Sequence, residues 1–265
     1  MSTNPHRIGE SFGDAARSYD QAAQLQRQVA TRLAELVVTA LEHPPEMIVD
    51  VGCGTGEMAR QLKEHWPESH CVGLDLALGM ALHARATSPM QQLLVGDAER
   101  LPIASNSVDL LVSSMAIQWC RDPKQVFSEF YRVLKPGGRL AVTTLGPQTL
   151  KELRSSWQAV DPDRAHVNNF TSEGDLSKAL TATCDSFDLH SRCYLPSYAD
   201  AVSVMRNLKS IGAQTVLGRQ GGGLTGRKKL VAMMRHYEKN YQTEEQRVAA
   251  TYELFFIQAQ KLGCR

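Results

Sequence analysis

The sequence predicts an α/β protein with a doubly wound, mostly parallel sheet of about seven strands, an N-terminal helix, and a helical insertion in the C-terminal half. Three observations predict it. Short apolar runs alternate with amphipathic stretches from Met47 to Leu145. The first of these runs closes on the glycines Gly52, Gly54 and Gly56. After Pro147 the alternation loosens into longer amphipathic stretches.

Leu25, Val29, Leu33, Leu36, Val37 and Ala40 recur at helical spacing and predict an N-terminal helix that Pro44-Pro45 ends. Met47 to Val51 reads as a buried parallel strand. Glu57 to Trp66 reads as the helix that follows, stopped at Pro67. Cys71 to Leu74 reads as a strand, Leu78 to Ala86 as a helix and Leu93 to Val95 as a third strand. Val108 to Val112 makes a fourth, bounded by Asn106-Ser107 and Ser113-Ser114. Lys124 to Leu134 is amphipathic, with Val126, Phe127, Phe130, Val133 and Leu134 on its apolar face. Lys135-Pro136-Gly137-Gly138 reads as a turn, and Arg139 to Leu145 as a fifth strand. This rhythm implies right-handed βαβ units in a Rossmann-like sheet covered on both faces. Beyond it, Leu150 to Val160, Ser172 to Thr181, Tyr198 to Leu208 and Lys228 to Tyr241 read as helices, and Asp185 to Tyr194 as a strand. A loop with Gly218, Gly221, Gly222, Gly223 and Gly226 separates the last two helices. Val248 to Gln260, rich in Thr251, Tyr252, Phe255, Phe256 and Ile257, reads as a last strand closing the sheet.

The glycine spacing selects the ligand. A dinucleotide loop needs G-x-G-x-x-G to seat a pyrophosphate on a helix N-terminus. Here Gly52, Gly54 and Gly56 give G-x-G-x-G, and Glu57 stands where the last glycine would be. A glutamate at the helix start repels a pyrophosphate. The loop therefore points to a nucleoside ligand without phosphate. Asp75, about 20 residues on and at the end of the second strand, is placed to accept from both ribose hydroxyls. Gly96-Asp97-Ala98-Glu99, just past the third strand, offers a carboxylate to an exocyclic adenine amine. Either acid alone would serve as a helix cap or turn residue. In order, each after a strand, they make a binding site.

Composition excludes other classes. Net charge is +1, with 43% apolar and 22% charged residues in a chain of 265, which argues against nucleic-acid binding through bulk charge. No apolar run reaches the roughly 18 residues of a membrane span, and Met1 to Glu10 lacks a signal-peptide core. Cys53, Cys71, Cys120, Cys184, Cys193 and Cys264 form no C-x-x-C pair, so no metal site is expected. Reduced thiols and a cytoplasmic location are the expectation.

Val49 to Gly56, Gly73-Leu74-Asp75, Gly96 to Pro102, Val108 to Ser113 and Arg132 to Gly138 resemble class I S-adenosylmethionine methyltransferases over about Met47 to Leu145. Outside that block, Phe12 to Gln26, Ile117-Gln118-Trp119-Cys120, Arg206 to Ala213 and Leu224-Thr225-Gly226-Arg227 resemble the malonyl-acyl-carrier-protein O-methyltransferases of biotin synthesis. The resemblance implies a single methyltransferase domain over residues 1–265. It would have an N-terminal helical lid (1–45), a cofactor-binding core (46–146), and substrate-side helices with the last strands (147–265). It implies S-adenosylmethionine as cofactor, S-adenosylhomocysteine as product, and the free carboxylate of a malonyl thioester as acceptor. Malonyl-acyl-carrier protein or malonyl-CoA would supply that acceptor to a monomer. The cofactor set it implies is Asp50, Gly52, Gly54, Gly56, Asp75, Leu76, Met80, Asp97, Ala98, Glu99 and Ser113.

Methyl transfer from a sulfonium to a carboxylate needs no proton transfer, because the acceptor is ionised at neutral pH and the leaving group departs neutral. No catalytic base is expected, and alignment with water exclusion is left to do the work. The segments shared with the family nominate Arg206 or Lys209 for a malonyl oxygen, Tyr19 and Gln118 to complete the pocket, and Trp119 as an apolar wall. Arg206 and Lys209 read equally well as a solvated helix face. Tyr19 also has a place over the cofactor if its helix closes as a lid. Arg219, Arg227, Lys228 and Lys229 form the densest basic stretch and nominate a docking surface for an acidic carrier. A carboxyl methyltransferase acting on a small polyacid such as trans-aconitate, or a non-catalytic S-adenosylmethionine-binding protein, are the alternatives.

Overall fold

The computed structural model describes residues 5–213 and 226–262. Two helices, α1 (Pro5–Ala22) and α2 (Gln24–Ala40), precede β1 (Met47–Val51). Then follow α3 (Glu57–His65), β2 (His70–Asp75), α4 (Leu78–Thr87), β3 (Gln92–Val95), β4 (Val108–Ser114), α5 (Pro123–Val133) and β5 (Leu134–Leu145). The second half holds α6 (Lys151–Gln158), α7 (Glu173–Thr181), β6 (Phe187–Tyr194), β7 (Ser197–Tyr198), α8 (Ala201–Ser210), α9 (Arg227–Tyr241), β8 (Val248–Ala249) and β9 (Tyr252–Gln260).

The main sheet has seven strands in the order β3-β2-β1-β4-β5-β9-β6. The first five are parallel, and β9 runs antiparallel between β5 and β6. Successive connections leave β1 in opposite directions, to β2 on one side and β4 on the other. Such a reversal opens a crevice at the carboxyl ends of the strands. The two-residue period then sorts the core. Ile48, Leu110, Val112 and Phe256 pack toward α2 and α3. Val49, Val51, Leu111 and Ile257 pack toward α5 and α7.

Local chemistry sets the helix boundaries. Asp122 accepts a hydrogen bond from the Lys124 N–H at 2.9 Å, and Pro123 opens α5 behind it. The face of α5 buries Val126, Phe127, Phe130 and Val133 completely. Phe127 and Phe130 meet edge to face at 6.4 Å, a pairing worth about 1 kcal/mol beyond burial.

Several boundaries differ from the sequence reading, among them the N-terminal region, which forms two helices, and β4, which runs on to Ser114. Lys135 to Gly138 lies within β5, as an excursion between the Val108–Leu134 and Leu110–Arg139 pairs. Tyr198 belongs to β7, paired with Val248, and α8 begins at Ala201 behind the capping carboxylate of Asp200. The closing segment is split into β8 and β9. Gly218, Arg219, Gly221, Gly222, Gly223, Leu224, Thr225 and Cys264 lie outside the described residues.

Helix α1 crosses the crevice and seats on α4 through glycines. A Cβ on Gly79 would lie 2.7 Å from the Gly13 Cα, so only glycine permits this approach. The other side of α1 is tied to the end of α8. Ser11 Oγ donates to the Gly212 carbonyl at 2.9 Å, and Ser18 Oγ to that of Ser210 at 3.1 Å.

Candidate functional site

The glycine loop is held by its neighbouring strand. The Gly52 and Cys53 N–H groups donate to the Leu74 carbonyl at 2.7 and 3.1 Å. Gly52, Gly54 and Gly56 all have positive φ, at 72°, 53° and 89°. A Cβ at Gly52 would fall 2.2 Å from that of Ala116, whereas at Gly54 nothing among the described residues lies within 4 Å. Gly54 therefore borders open space, a cradle a ligand can approach. Gly56 does not face it and instead caps α3.

Asp75 organises the loop. Its carboxylate accepts from the Gly54 N–H at 2.8 Å and the Ala77 N–H at 2.7 Å. Burial pushes the Asp75 carboxyl upward, and these N–H groups act in the opposite sense. Each oxygen keeps a lone pair for a hydroxyl donor. Leu76, Met80, Asp97, Ala98 and Glu99 line the same cavity, which Ile8 and Phe12 of α1 help to close. Asp97 accepts from the Glu99 N–H at 2.9 Å. Glu99 Oε1 accepts from the Arg121 and Asp122 N–H groups at 2.6 and 2.9 Å, so this side chain braces the turn before α5.

Asp50 lies deeper, 1% exposed, against a compartment it shares with Tyr19, Gly54 and Thr55. Its Oδ2 has no hydrogen-bond partner among the described residues. Burial first, and then Asp75, push its carboxyl up to about 8. A buried, unpaired carboxylate is costly, and a ligand ammonium group would satisfy it. Asp75 beside an open Gly54 for a ribose, and Asp50 for a cation, fit the two ends of S-adenosylmethionine. Thr55 Oγ1 donates to Asp20 Oδ1 at 2.6 Å, and His83 Nε2 lies 3.6 Å from Asp20 Oδ2, so α1 is latched across both compartments.

Ser113 is fully buried, and its hydroxyl donates to the Val51 carbonyl at 2.7 Å. Its neighbour Ser114 lines both compartments instead. The signal was available: Ser114 shares a strand face with Val112, which pairs with Asp50.

A second cavity adjoins the first along Phe12, Tyr19, Met115 and Trp119. Phe12 meets Trp119 edge to face at 5.3 Å. The Tyr19 hydroxyl is pushed well above its ordinary range by burial, with Asp75 and Asp20 adding to it. The walls beyond are largely apolar, including Leu145, Leu150, Leu153 and Phe170. Gln118 lines this cavity, its amide nitrogen donating to the Met115 carbonyl at 2.6 Å. Lys209 stands exposed at its rim. Arg206 is exposed on α8 and is not among the lining residues; its charge helps to lower the Asp200 carboxyl. His166 and Trp157, which no sequence signal nominates, do line it. Of the basic stretch, Arg227 and Lys228 are exposed, and Lys229 binds Asp161 at 2.6 Å.

Fold and site together define a methyltransferase, and residues 49–142 match the family described as Methyltransferase domain. Curated relatives narrow this. A malonyl-[acyl-carrier protein] O-methyltransferase of Hahella chejuensis is 40% identical over 250 residues, covering 94% of this chain and 88% of its own. That of Gallionella capsiferriformans is 36% identical, covering 95% and 89%. The biotin biosynthesis bifunctional protein BioHC of Saccharophagus degradans is 40% identical over 98% of this chain and 47% of its own. The chain belongs to the malonyl-[acyl-carrier protein] O-methyltransferase family. Solved structures share the fold. The YcgJ protein of Bacillus subtilis aligns with a TM-score of 0.60 at 17% identity, covering 88% of this chain and 99% of its own. The [4+2]-cyclase SpnF aligns at 0.51 and 17% identity, covering 89% and 83%. Among the described residues no helix is long and apolar enough to cross a membrane.

Proposed function

We propose that the protein methylates the free carboxylate of a malonyl thioester, with malonyl-acyl-carrier protein as the preferred acceptor and malonyl-CoA as a smaller one, at an early step of biotin synthesis. The observation that carries this reading is the shared wall of Phe12, Tyr19, Met115 and Trp119 between a cofactor-shaped cavity and an apolar second cavity. The relatives' names supply the acceptor. Bound S-adenosylmethionine contributes an electrophilic methyl group on a sulfonium.

The chain's own residues then have three tasks. Asp75 receives the ribose hydroxyls and Asp50 the ammonium group, which fixes the reacting end near Tyr19. Asp97 and the apolar side chains of Leu76 and Met80 hold the base. Phe12, Tyr19 and Trp119 keep water from the junction, which removes the hydration shell that blunts a carboxylate nucleophile. None of these steps moves a proton.

Helix α1 is a lid in this reading, opening by release of Asp20 from Thr55 and His83. Deleting the residues before Gln28 is expected to weaken cofactor binding in calorimetry; unchanged affinity contradicts the lid. Arg227 and Lys228 offer exposed positive charge to an acidic carrier, so turnover on the carrier substrate is expected to fall as salt rises. The activity itself is tested with methyl-labelled cofactor against malonyl-acyl-carrier protein, malonyl-CoA and trans-aconitate. Label is expected in the first two. Label in aconitate alone, or in none, contradicts the proposal.

A further inference from the structure

We infer that His166, held in place by Asp161, reads the carboxylate of the acceptor; the inference rests on the malonyl reading above. An acid entering an apolar cavity gives up water and must find a donor or a cation. The expected candidates are poorly placed for this. Arg206 does not line the cavity, Lys209 sits in solvent at its rim, and the Gln118 amide nitrogen is occupied by the Met115 carbonyl.

His166 is different. Its side chain is 5% exposed and lines the cavity, while Asp161 behind it does not. Nε2 lies 2.8 Å from Asp161 Oδ2. The Lys229 ammonium group, 2.6 Å from Asp161, and then His166 itself hold the Asp161 carboxyl below its usual range. An ionised carboxylate only accepts, so Nε2 carries the hydrogen. Trp157 stacks on the ring at 3.8 Å and 9°, which fixes its plane. The ring's hydrogen bond among the described residues runs through Nε2, and none engages Nδ1.

The other charged group packed nearby is Arg154, whose two terminal nitrogens donate to the carbonyls of Pro147, Thr149 and Asn168; its buried Nε has no partner among the described residues, but the side chain does not line this cavity. Nδ1 is thus one of the polar atoms this wall offers a ligand, beside the Tyr19 hydroxyl and the Gln26 amide; it differs from them in that its ring is fixed by both Asp161 and Trp157. With a proton on Nδ1, the ring offers one donor and a positive charge. That geometry holds one carboxylate oxygen and leaves the other free to attack, whereas an arginine fork would engage both. Asp161 is a positioning residue here.

The test compares two carrier thioesters that differ only in the carboxylate. Malonyl-acyl-carrier protein is used as substrate and acetyl-acyl-carrier protein as competitive inhibitor. In His166→Asn the malonyl KM is expected to rise about tenfold or more, while the acetyl Ki and the cofactor affinity stay within about twofold. Asp161→Asn, which keeps the ring and its stack, is expected to shift the same ratio less, and decides the matter should His166→Asn not fold. Equal weakening of both thioesters, or no change in either, overturns the inference. A wild-type enzyme inert toward malonyl-acyl-carrier protein instead overturns the proposed function.

Discussion

The cofactor cavity and the acceptor cavity meet at Tyr19 and Trp119, yet they are built in different ways. The first is made of strand ends. Gly52, Gly54, Asp75 and Asp97 each lie at or just past the end of a parallel strand, and the contacts that shape the loop are mostly backbone. The second is made of side chains brought from α1, α6, the 160–170 loop and α8. Backbone geometry at a sheet's switch point is dictated by topology and tolerates little change. Side-chain walls on helices can be exchanged without disturbing the sheet. The [4+2]-cyclase SpnF shares the fold at 17% identity, and a shared fold does not by itself fix the chemistry.

Substitutions that break this contrast should rank accordingly. The largest effect is expected from Gly52→Val, where a positive φ of 72° and a 2.2 Å approach to Ala116 leave no room. Cofactor affinity should fall about a hundredfold or more, read by calorimetry, which is roughly 3 kcal/mol. Next comes Asp50→Asn. If Asp50 receives the cofactor's ammonium group as proposed, removing this buried carboxylate should weaken the cofactor about tenfold to a hundredfold. Its pH signature is specific. The folded Asp50 carboxyl is raised to about 8, so its contribution to stability without ligand is full at pH below about 4 and is lost as pH rises through about 8. Over the same range the ionised form gains, and wild-type cofactor affinity should climb with pH. In Asp50→Asn both dependences should flatten, and melting curves from pH 5 to 9 check this.

Trp119→Ala comes third. It opens the shared wall and should lower kcat/KM for the acceptor about tenfold, with a smaller loss in cofactor affinity. Arg206→Ala should be the mildest, within about twofold in turnover, because the side chain is exposed and outside the cavity. A tenfold loss there would mean that the acceptor also meets the exposed face of α8 that carries Arg206.

The same contrast explains what was legible beforehand. The apolar runs of β1 to β5 and the glycine spacing encode local backbone, so those strands and Asp75 could be read directly. The resemblance nominated Ser113, and the strand was expected to end at Val112; β4 runs two residues further, and its alternation turns Ser114 rather than Ser113 toward the cavity. Tyr198 was assigned to a helix because its pairing with Val248 spans about fifty residues of chain, and no local pattern reports that. His166 left no mark for a related reason. It follows α6 in a loop, and its partners Trp157, Asp161 and Lys229 come together only when α6 and α9 pack. Arg206 and Lys209 share a helix, yet of the two only Lys209 reaches the cavity, since the stripe of α8 that lines it is Met205, Leu208 and Lys209 and Arg206 stands about 100° round from Met205.

The central claim is that the two cavities bring a sulfonium methyl group to a malonyl carboxylate. Mass spectrometry of malonyl-acyl-carrier protein after incubation with the enzyme and methyl-labelled S-adenosylmethionine tests it most directly. The account predicts one added methyl group per carrier, released from the malonyl moiety by mild ester hydrolysis, and none on acetyl-acyl-carrier protein. Label absent from the malonyl carrier, or present equally on the acetyl carrier, would contradict it.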